Sequence, residues 1–192
     1  MFFVGTVRYS QTKGVLVYKA MPIKESDKKV VIMEGLPGSG KSHLAKSIRI
    51  GKIFSADTYR TNKDGVYDHN LVTGAEAHGS CLKAFVDHIQ NGRGLCFIDN
   101  TNSVKEEIAP YVALANAYGY KVIHAYVRCD FDEAFNRQTH NCPTNVFSIM
   151  SIRLRNLEKD MVDNKVPLWW GNMVFLTSDD KVKLVNEILG VY

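Results

Sequence analysis

The chain has 192 residues, of which 45% are hydrophobic and 23% charged, and its formal net charge at pH 7 is +4. These values are typical of one compact globular domain, and the mild positive charge permits an anionic partner without identifying one. No apolar run is long enough to span a bilayer, and the apolar start at residues 1–5 is too short for a signal peptide, so we expect a cytoplasmic protein that does not interact with membranes.

The N-terminal region is predicted to form a β-hairpin. Residues 2–9 and 15–19 have the composition of two strands, and the turn Ser-Gln-Thr-Lys-Gly joins them. The polar residues 24–29 separate this hairpin from the next apolar run. We therefore predict a hairpin extension over residues 1–28 and a nucleotide-binding domain over residues 29–192.

A phosphate-binding loop follows directly. Val30–Met33 is typical of a buried parallel strand, residues 35–42 match G-x-x-x-x-G-K-[ST], and Leu44, Ala45 and Ile48 have helical spacing. Glycines let the backbone N–H groups approach phosphate oxygens, and the helix directs its positive end at the same anion. The sequence therefore predicts ATP binding. The residues expected to hold ATP are Gly35, Pro37, Gly38, Ser39, Gly40, Lys41, Ser42 and His43.

The rest of the chain alternates strands with helices. Strands are predicted at 52–55, 95–99, 121–127 and 174–177, and helices at 73–90, from Ser103, at 130–139, 145–159 and 179–189. Thr73 with Glu76 and Ser103 with Glu106 are predicted capping boxes, and Pro110 is expected to kink its helix. This alternation predicts an α/β fold with a parallel sheet, in which ligands bind at the carboxyl ends of the strands.

Polar residues follow the second strand. Asp57 is suited to accept the proton of a hydroxyl that attacks phosphorus, and Arg60 is suited to grip an anionic part of that acceptor. For Asp57 the competing interpretation is a helix N-cap. For Arg60 it is a solvated surface cation.

A second polar group follows the third strand, and Arg137 follows the fourth. Asp99 ends its strand as a Walker-B aspartate does, so Ser42 and Asp99 are the predicted Mg²⁺ site. Asn100, Thr101 and Asn102 are predicted to bind the acceptor, with a structural turn as the alternative. Arg137 lies where P-loop kinases carry a lid, and a lid arginine neutralises charge on the transferred phosphoryl group.

Three further features carry less specific signals. The four cysteines form no CxxC pair, which favours reduced thiols over a zinc site. His78 is expected in the core. Tyr59 and Tyr67 could stack on a nucleobase or simply pack.

The ordered motifs resemble the polynucleotide 5′-kinase family. They are GxxGxGKS, ADTYR, DGVYD, AEAH, IDNTN, PYVALANAYGYKV and RQTHNCP, which together cover residues 29 to about 158. The resemblance implies a P-loop kinase domain with an adenylate-kinase-like sheet. It further implies that Asp57 is the general base, that Arg60 binds the phosphate 3′ to the acceptor hydroxyl, and that Lys41, Ser42 and Arg137 handle ATP. The chain has Thr58 where the family often has a second aspartate, and Asn141 where a second lid arginine is found.

Three functions remain open at this point. The first is an ATP- and Mg²⁺-dependent kinase acting on the 5′-hydroxyl of DNA or RNA. The second is a kinase for another hydroxyl, carried by a small molecule, a nucleoside or a modified base. The third is a nucleotide-binding module without turnover, which the joint presence of Lys41, Ser42, Asp57 and Arg60 disfavours.

Overall fold

The computed structural model describes residues 27–163, 165–167 and 170–190. The predicted hairpin strands at 2–9 and 15–19 lie outside these residues, so the division at residue 28 stays a prediction. Five parallel strands form one sheet in the order β2-β3-β1-β4-β5. The strands are β1 Lys29–Glu34, β2 Lys52–Phe54, β3 Cys96–Asp99, β4 Lys121–Val127 and β5 Asn172–Leu176.

Helices cover both faces of the sheet, as the alternating pattern predicted. They are α1 Lys41–Ser47, α2 Gly74–Gln90, α3 Lys105–Ala117, α4 Phe131–Arg137, α5 Thr144–Val162 and α6 Lys181–Leu189. A 3₁₀ turn, Ala56–Arg60, lies between β2 and α2. None of the described helices is long and apolar enough to cross a membrane. The fold is therefore that of a P-loop kinase, α/β with a parallel sheet between two helical layers.

Of the two predicted capping boxes, one is present in the structure and the other is not. The capping box on α2 is confirmed, because Glu76 N–H donates to Thr73 Oγ1 at 3.2 Å and Thr73 N–H donates to the Glu76 carboxylate at 2.8 Å. The pairing of Ser103 with Glu106 is wrong. Ser103 N–H donates instead to Glu107 Oε2 at 2.7 Å, because α3 begins at Lys105 and puts the i+4 carboxylate, not the i+3 one, within reach.

The strand register brings the polar strand ends together. Met33 of β1 lies opposite Asp99 of β3, and Phe54 of β2 lies opposite Ile98. The P-loop, the 3₁₀ turn and the residues after β3 therefore leave the same edge of the sheet. Because β1 lies in the middle of the sheet, its loop is flanked by β3 on one side and β4 on the other.

Candidate active site

The P-loop, residues 35–42, packs closely against α4 and against the loop after β5. Gly38 and Gly40 have φ angles of +80° and +93°. A Cβ atom on Gly38 would lie 2.1 Å from the Ala134 carbonyl oxygen of α4, and one on Gly40 would lie 2.5 Å from Cβ of Ser178. Both positions therefore require glycine for conformation and for space, which leaves the backbone N–H groups open to an anion.

Lys41 is held inside this loop. Its side chain is buried, and Nζ donates a hydrogen bond to the Leu36 carbonyl at 2.8 Å. Burial lowers the pKa of Lys41 to about 8, while the nearby carboxylates of Asp99 and Asp57 oppose this shift. The lysine is thus a buried cation whose charge interacts with the predicted base, Asp57, and with the predicted Mg²⁺ ligand, Asp99.

Asp99 and Ser42 meet at the end of β3. Burial raises the pKa of the Asp99 carboxyl, while a hydrogen bond from Ser42 and the charge of Lys41 act in the opposite direction. Asp99 Oδ1 is buried, and no described residue hydrogen-bonds to it. A buried carboxylate oxygen without a partner, beside a hydroxyl oxygen, fits a hard cation such as Mg²⁺. The described residues contain no cluster of three or more His, Cys, Asp or Glu side chains for a metal held by the protein alone.

Asp57 lies on the 3₁₀ turn and faces a cavity that Lys41, Ser42 and Asp99 also line. Ser55 is the N-cap of that turn, and its Oγ accepts from Asp57 N–H at 3.3 Å. The N-cap interpretation of Asp57 is therefore wrong, and its carboxylate, 53% exposed, is available to a substrate. The turn itself is fixed to the end of β3, because Ala56 N–H donates to Asn100 Oδ1 at 2.8 Å.

Arg60 is partly buried at the other end of this turn. Its Nη1 donates to the Tyr67 hydroxyl at 3.3 Å, and its buried Nε has no hydrogen-bond partner among the described residues. Asp57 and Arg60 both line a cavity of about 680 Å³ with Lys41, Ser42 and Asp99. This location does not match the solvated-surface interpretation of Arg60.

The three polar residues after Asp99 take different positions. Asn100 uses both ends of its amide within the protein, because Nδ2 also donates to the Cys81 sulfur at 3.8 Å. Asn102 is buried and donates to the Met33 carbonyl at 2.7 Å. Thr101 lines the cavity. Their acceptor-binding role stays a prediction. The contacts of Asn100 link the 3₁₀ turn to α2, and those of Asn102 link the end of β3 to β1.

Arg137 ends α4 and lines the cavity beside the P-loop. It pairs with Glu133 at 2.6 Å one turn earlier and also lines a second cavity of about 740 Å³. Arg128, Ser178 and Asp179 contribute to this second cavity on the other side of the P-loop. Sequence reasoning missed Ser178, because the approach of the loop after β5 to Gly40 is a tertiary contact.

Histidines and Tyr67 complete the part of the first cavity that lies near Asp57 and Arg60. His78 is exposed and lines this cavity, so the expectation that it lies in the core is wrong. His140 Nε2 lies 3.5 Å from Asp57 Oδ2, and the His140 ring packs on Tyr67 with centroids 3.9 Å apart. Sequence reasoning missed His140. The only signal for it was its place in the RQTHNCP motif, where Arg137 and Asn141 were singled out instead.

Comparison with known sequences gives a family and curated relatives. The model of the AAA domain family AAA_33 matches residues 30–141. Human NEDD4-binding protein 2 is 36% identical over 98 residues, which are 49% of this chain and 6% of that protein. The chain thus spans a small part of this relative's length.

Comparison with solved structures shows the same fold. A chain of the Pnkp1/Rnl/Hen1 RNA repair complex superposes with a TM-score of 0.55 and 16% identity, covering 70% of this chain and 46% of that one. Kti12 of Chaetomium thermophilum in complex with ADP-AlF3 gives a TM-score of 0.55 and 14% identity, covering 84% and 97%. Because the family model covers more than half of the chain, including the P-loop, Asp57, Asp99 and His140, this protein belongs to the AAA_33 family of AAA domains.

Proposed function

We propose that this protein transfers the γ-phosphate of ATP to the 5′-hydroxyl of a polynucleotide. The observation that carries the proposal is the pairing of Asp57 and Arg60 on one short turn, both facing the cavity that Lys41, Ser42 and Asp99 line. A carboxylate and an arginine three residues apart suit an acceptor that has both a hydroxyl and a phosphate. A polynucleotide 5′ end has this combination.

Each residue has one role in the proposed reaction. Asp57 takes the proton of the attacking hydroxyl as its oxygen forms a bond to the γ-phosphorus and the bond to the β,γ-bridging oxygen breaks, leaving ADP. Arg60 holds the phosphate 3′ to that hydroxyl through charge-assisted hydrogen bonds. Lys41 and Arg137 stabilise charge on the phosphate oxygens. Ser42 and Asp99 would hold Mg²⁺, which neutralises charge between the β- and γ-phosphates.

Two alternatives are tested together with the proposal. The same donor site could serve a small alcohol, a nucleoside or a hydroxylated base in DNA, because the fold alone does not choose the acceptor. A binding module without turnover is the other alternative. The exposed carboxylate of Asp57 in the cavity favours an enzyme, because a module that only binds Mg²⁺-ATP needs Ser42 and Asp99 but no general base.

The test uses γ-labelled ATP and paired acceptors. A nucleoside 3′-monophosphate and the plain nucleoside differ only in the group that Arg60 would bind. We expect the wild type to prefer the phosphorylated acceptor and Arg60→Ala to lose most of that preference with an unchanged KM for ATP. Lys63→Ala, which removes an exposed cation from the loop that follows the turn, is the matched control. Equal use of both acceptors by the wild type would move the assignment to another hydroxyl.

A second arm separates an enzyme from a binding module. Asp57→Asn keeps the size of the side chain and leaves the Ser55 cap in place, but an amide cannot take the proton. We expect kcat to fall about 10²–10⁴-fold while the Kd for ATP stays the same. A wild type that binds ATP and labels none of the hydroxyl acceptors would instead support the module without turnover.

A further inference from the structure

Four side chains form a chain of contacts along one wall of the cavity that Lys41, Ser42 and Asp99 line. Asp57 and Arg60 lie on the 3₁₀ turn, Tyr67 lies in the loop of residues 61–72, and His140 lies in the lid, defined here as residues 138–143 between α4 and α5. His140 contacts Asp57 at 3.5 Å and Tyr67 at a centroid distance of 3.9 Å. The Tyr67 hydroxyl accepts from Arg60 at 3.3 Å. The proposed base and the proposed phosphate ligand are thus both connected to the lid.

The lid is braced as one unit. The side chain of Gln138 donates to the Cys142 carbonyl at 3.0 Å and accepts from Cys142 N–H at 2.7 Å. These two hydrogen bonds close the turn that carries His140. A displacement of Gln138 would therefore move His140 with it.

The lid also contacts the P-loop. A Cβ atom on Gly38 would lie 2.9 Å from the backbone nitrogen of Gln138, so the P-loop packs directly against the start of the lid. Arg137, next to Gln138, lines the donor cavity. An unbroken series of contacts therefore runs from the donor loop through Gln138 and His140 to Asp57 and Arg60.

The loop that carries Tyr67 is itself ordered by backbone hydrogen bonds. Thr61 and Tyr67 form an antiparallel bridge, and Asp68 N–H donates to the Arg60 carbonyl at 2.7 Å. This arrangement returns Tyr67 over Arg60. It gives His140 a fixed aromatic surface on which to pack.

From these contacts we infer that His140 and Tyr67 are positioning residues that couple nucleotide binding to acceptor binding. The inference rests on the proposed function, because it assigns Asp57 and Arg60 to the acceptor. A nucleotide that fixes the P-loop and lid also fixes His140, which orients the Asp57 carboxylate and, through Tyr67, the Arg60 guanidinium. Binding of either substrate then favours binding of the other, and by linkage the two effects are equal.

The first measurement is the coupling itself. The Kd of a 5′-hydroxyl oligonucleotide is measured with and without a non-hydrolysable ATP analogue and Mg²⁺. In the wild type we expect the analogue to tighten oligonucleotide binding about fivefold or more. In His140→Ala, in Tyr67→Ala and in the double variant, this factor should fall close to one while the Kd of the analogue alone is unchanged. Lys63→Ala is the control that keeps the coupling.

Two further variants separate the contacts of His140. His140→Phe keeps a ring on Tyr67 and removes the nitrogen that faces Asp57, whereas His140→Gln keeps a polar nitrogen and removes the ring. We expect His140→Phe to lower kcat with a nearly normal acceptor KM, since Arg60 stays positioned. We expect His140→Gln to raise the acceptor KM more than it changes kcat. Identical effects of the two variants, or full coupling in His140→Ala, would overturn the inference.

An experiment without an acceptor distinguishes this inference from the proposed function. Hydrogen exchange is followed with and without the ATP analogue and Mg²⁺. We expect the nucleotide to protect the amides of residues 61–70 in the wild type but not in His140→Ala, because Tyr67 of this loop packs on His140 of the lid. If residues 61–70 are protected but no oligonucleotide is phosphorylated, the link between the nucleotide site and this loop is retained and the assignment of a polynucleotide acceptor is rejected. Protection confined to the P-loop and lid would reject the coupling whatever the acceptor is.

Discussion

Lys41 is the residue whose environment most directly predicts a pH dependence. Burial lowers its pKa to about 8, so its protonated fraction falls from roughly nine-tenths at pH 7 to roughly one-tenth at pH 9. Only the protonated form attracts the triphosphate. We therefore expect the Kd for ATP to rise about tenfold between pH 7 and pH 9.

The control for this prediction is Lys41→Arg. A guanidinium keeps its charge over this pH range, so the nucleotide affinity of the variant, whatever its absolute value, should change little. Titration of the protein with ATP by calorimetry at several pH values measures both. A wild-type affinity that stays constant up to pH 9 would show that Lys41 remains protonated in the folded protein.

At the level of single residues, local motifs predicted residues that the fold brings together, while the roles of these residues stay predictions. Lys41, Ser42, Asp57, Arg60, and Asp99 were all identified from local patterns, and all five line one cavity. The direction in which a side chain points cannot be predicted from such a local pattern. Asn100 could face a substrate or a neighbouring backbone, and its hydrogen bond to Ala56, 44 positions earlier, follows from strand pairing that a local pattern does not contain.

At the level of elements, substitution of two glycines that have the same backbone conformation distinguishes the cost of backbone strain from the cost of a steric clash. Gly38 and Gly65 have φ angles of +80° and +79°, but only Gly38 has a backbone oxygen, that of Ala134, where a Cβ atom would lie. Gly65→Ala should lower the free energy of unfolding by about 1–2 kcal/mol and leave nucleotide affinity unchanged. Gly38→Ala forces α4 away from the P-loop, so it should weaken ATP binding at least about tenfold, or 1.4 kcal/mol.

Chemical denaturation and nucleotide titration of both variants check this prediction. Equal losses of nucleotide affinity in Gly38→Ala and Gly65→Ala would mean that backbone strain alone matters. Open space around Gly65 makes it a control for conformation only. The comparison therefore measures the packing of α4 on the P-loop.

The bounds of the elements show where periodicity is informative. The apolar runs placed all five strands of the described sheet within a few residues, because a strand buried on both faces is almost continuously apolar. The helix predicted at 130–139 is shorter, since α4 ends at Arg137. The lid that follows is polar, and its turn depends on the side chain of Gln138, for which helical periodicity gives no indication.

Across the whole molecule, a buried ionisable pair links the central strands to the segment before β5. Glu34 Oε1 lies 2.5 Å from His124 Nδ1, both side chains are fully buried, and His124 Nε2 lies 3.1 Å from the Trp170 carbonyl oxygen. Glu34 is the last residue of β1 and directly precedes Gly35 of the P-loop. The pair therefore fixes the position at which the P-loop leaves the sheet.

Removal of one partner should destabilise the entire domain. We expect Glu34→Ala to lower the free energy of unfolding by about 3–5 kcal/mol, because His124 then keeps a buried polar nitrogen without its partner. Glu34→Gln keeps an acceptor oxygen and should cost less. Urea unfolding of these variants and of Glu34→Leu with His124→Leu completes the test, since the apolar pair should be more stable than Glu34→Ala. A loss below about 1 kcal/mol in Glu34→Ala would contradict the prediction.

The residues that carry Asp57, Arg60 and Tyr67 are continuous in the sequence. The 3₁₀ turn and the loop with Tyr67 form one continuous stretch, residues 56–72, which is bounded by the side-chain caps of Ser55 and Thr73. The residues proposed to hold ATP and Mg²⁺, by contrast, come from separate parts of the chain, namely the P-loop with α1, the end of β3 and the end of α4. Under the proposed function, replacement of residues 56–72 by the same stretch of another P-loop kinase should therefore alter acceptor preference while the donor residues stay unchanged. The side chains that would distinguish acceptors thus lie mostly in one contiguous segment, to which the lid adds His140.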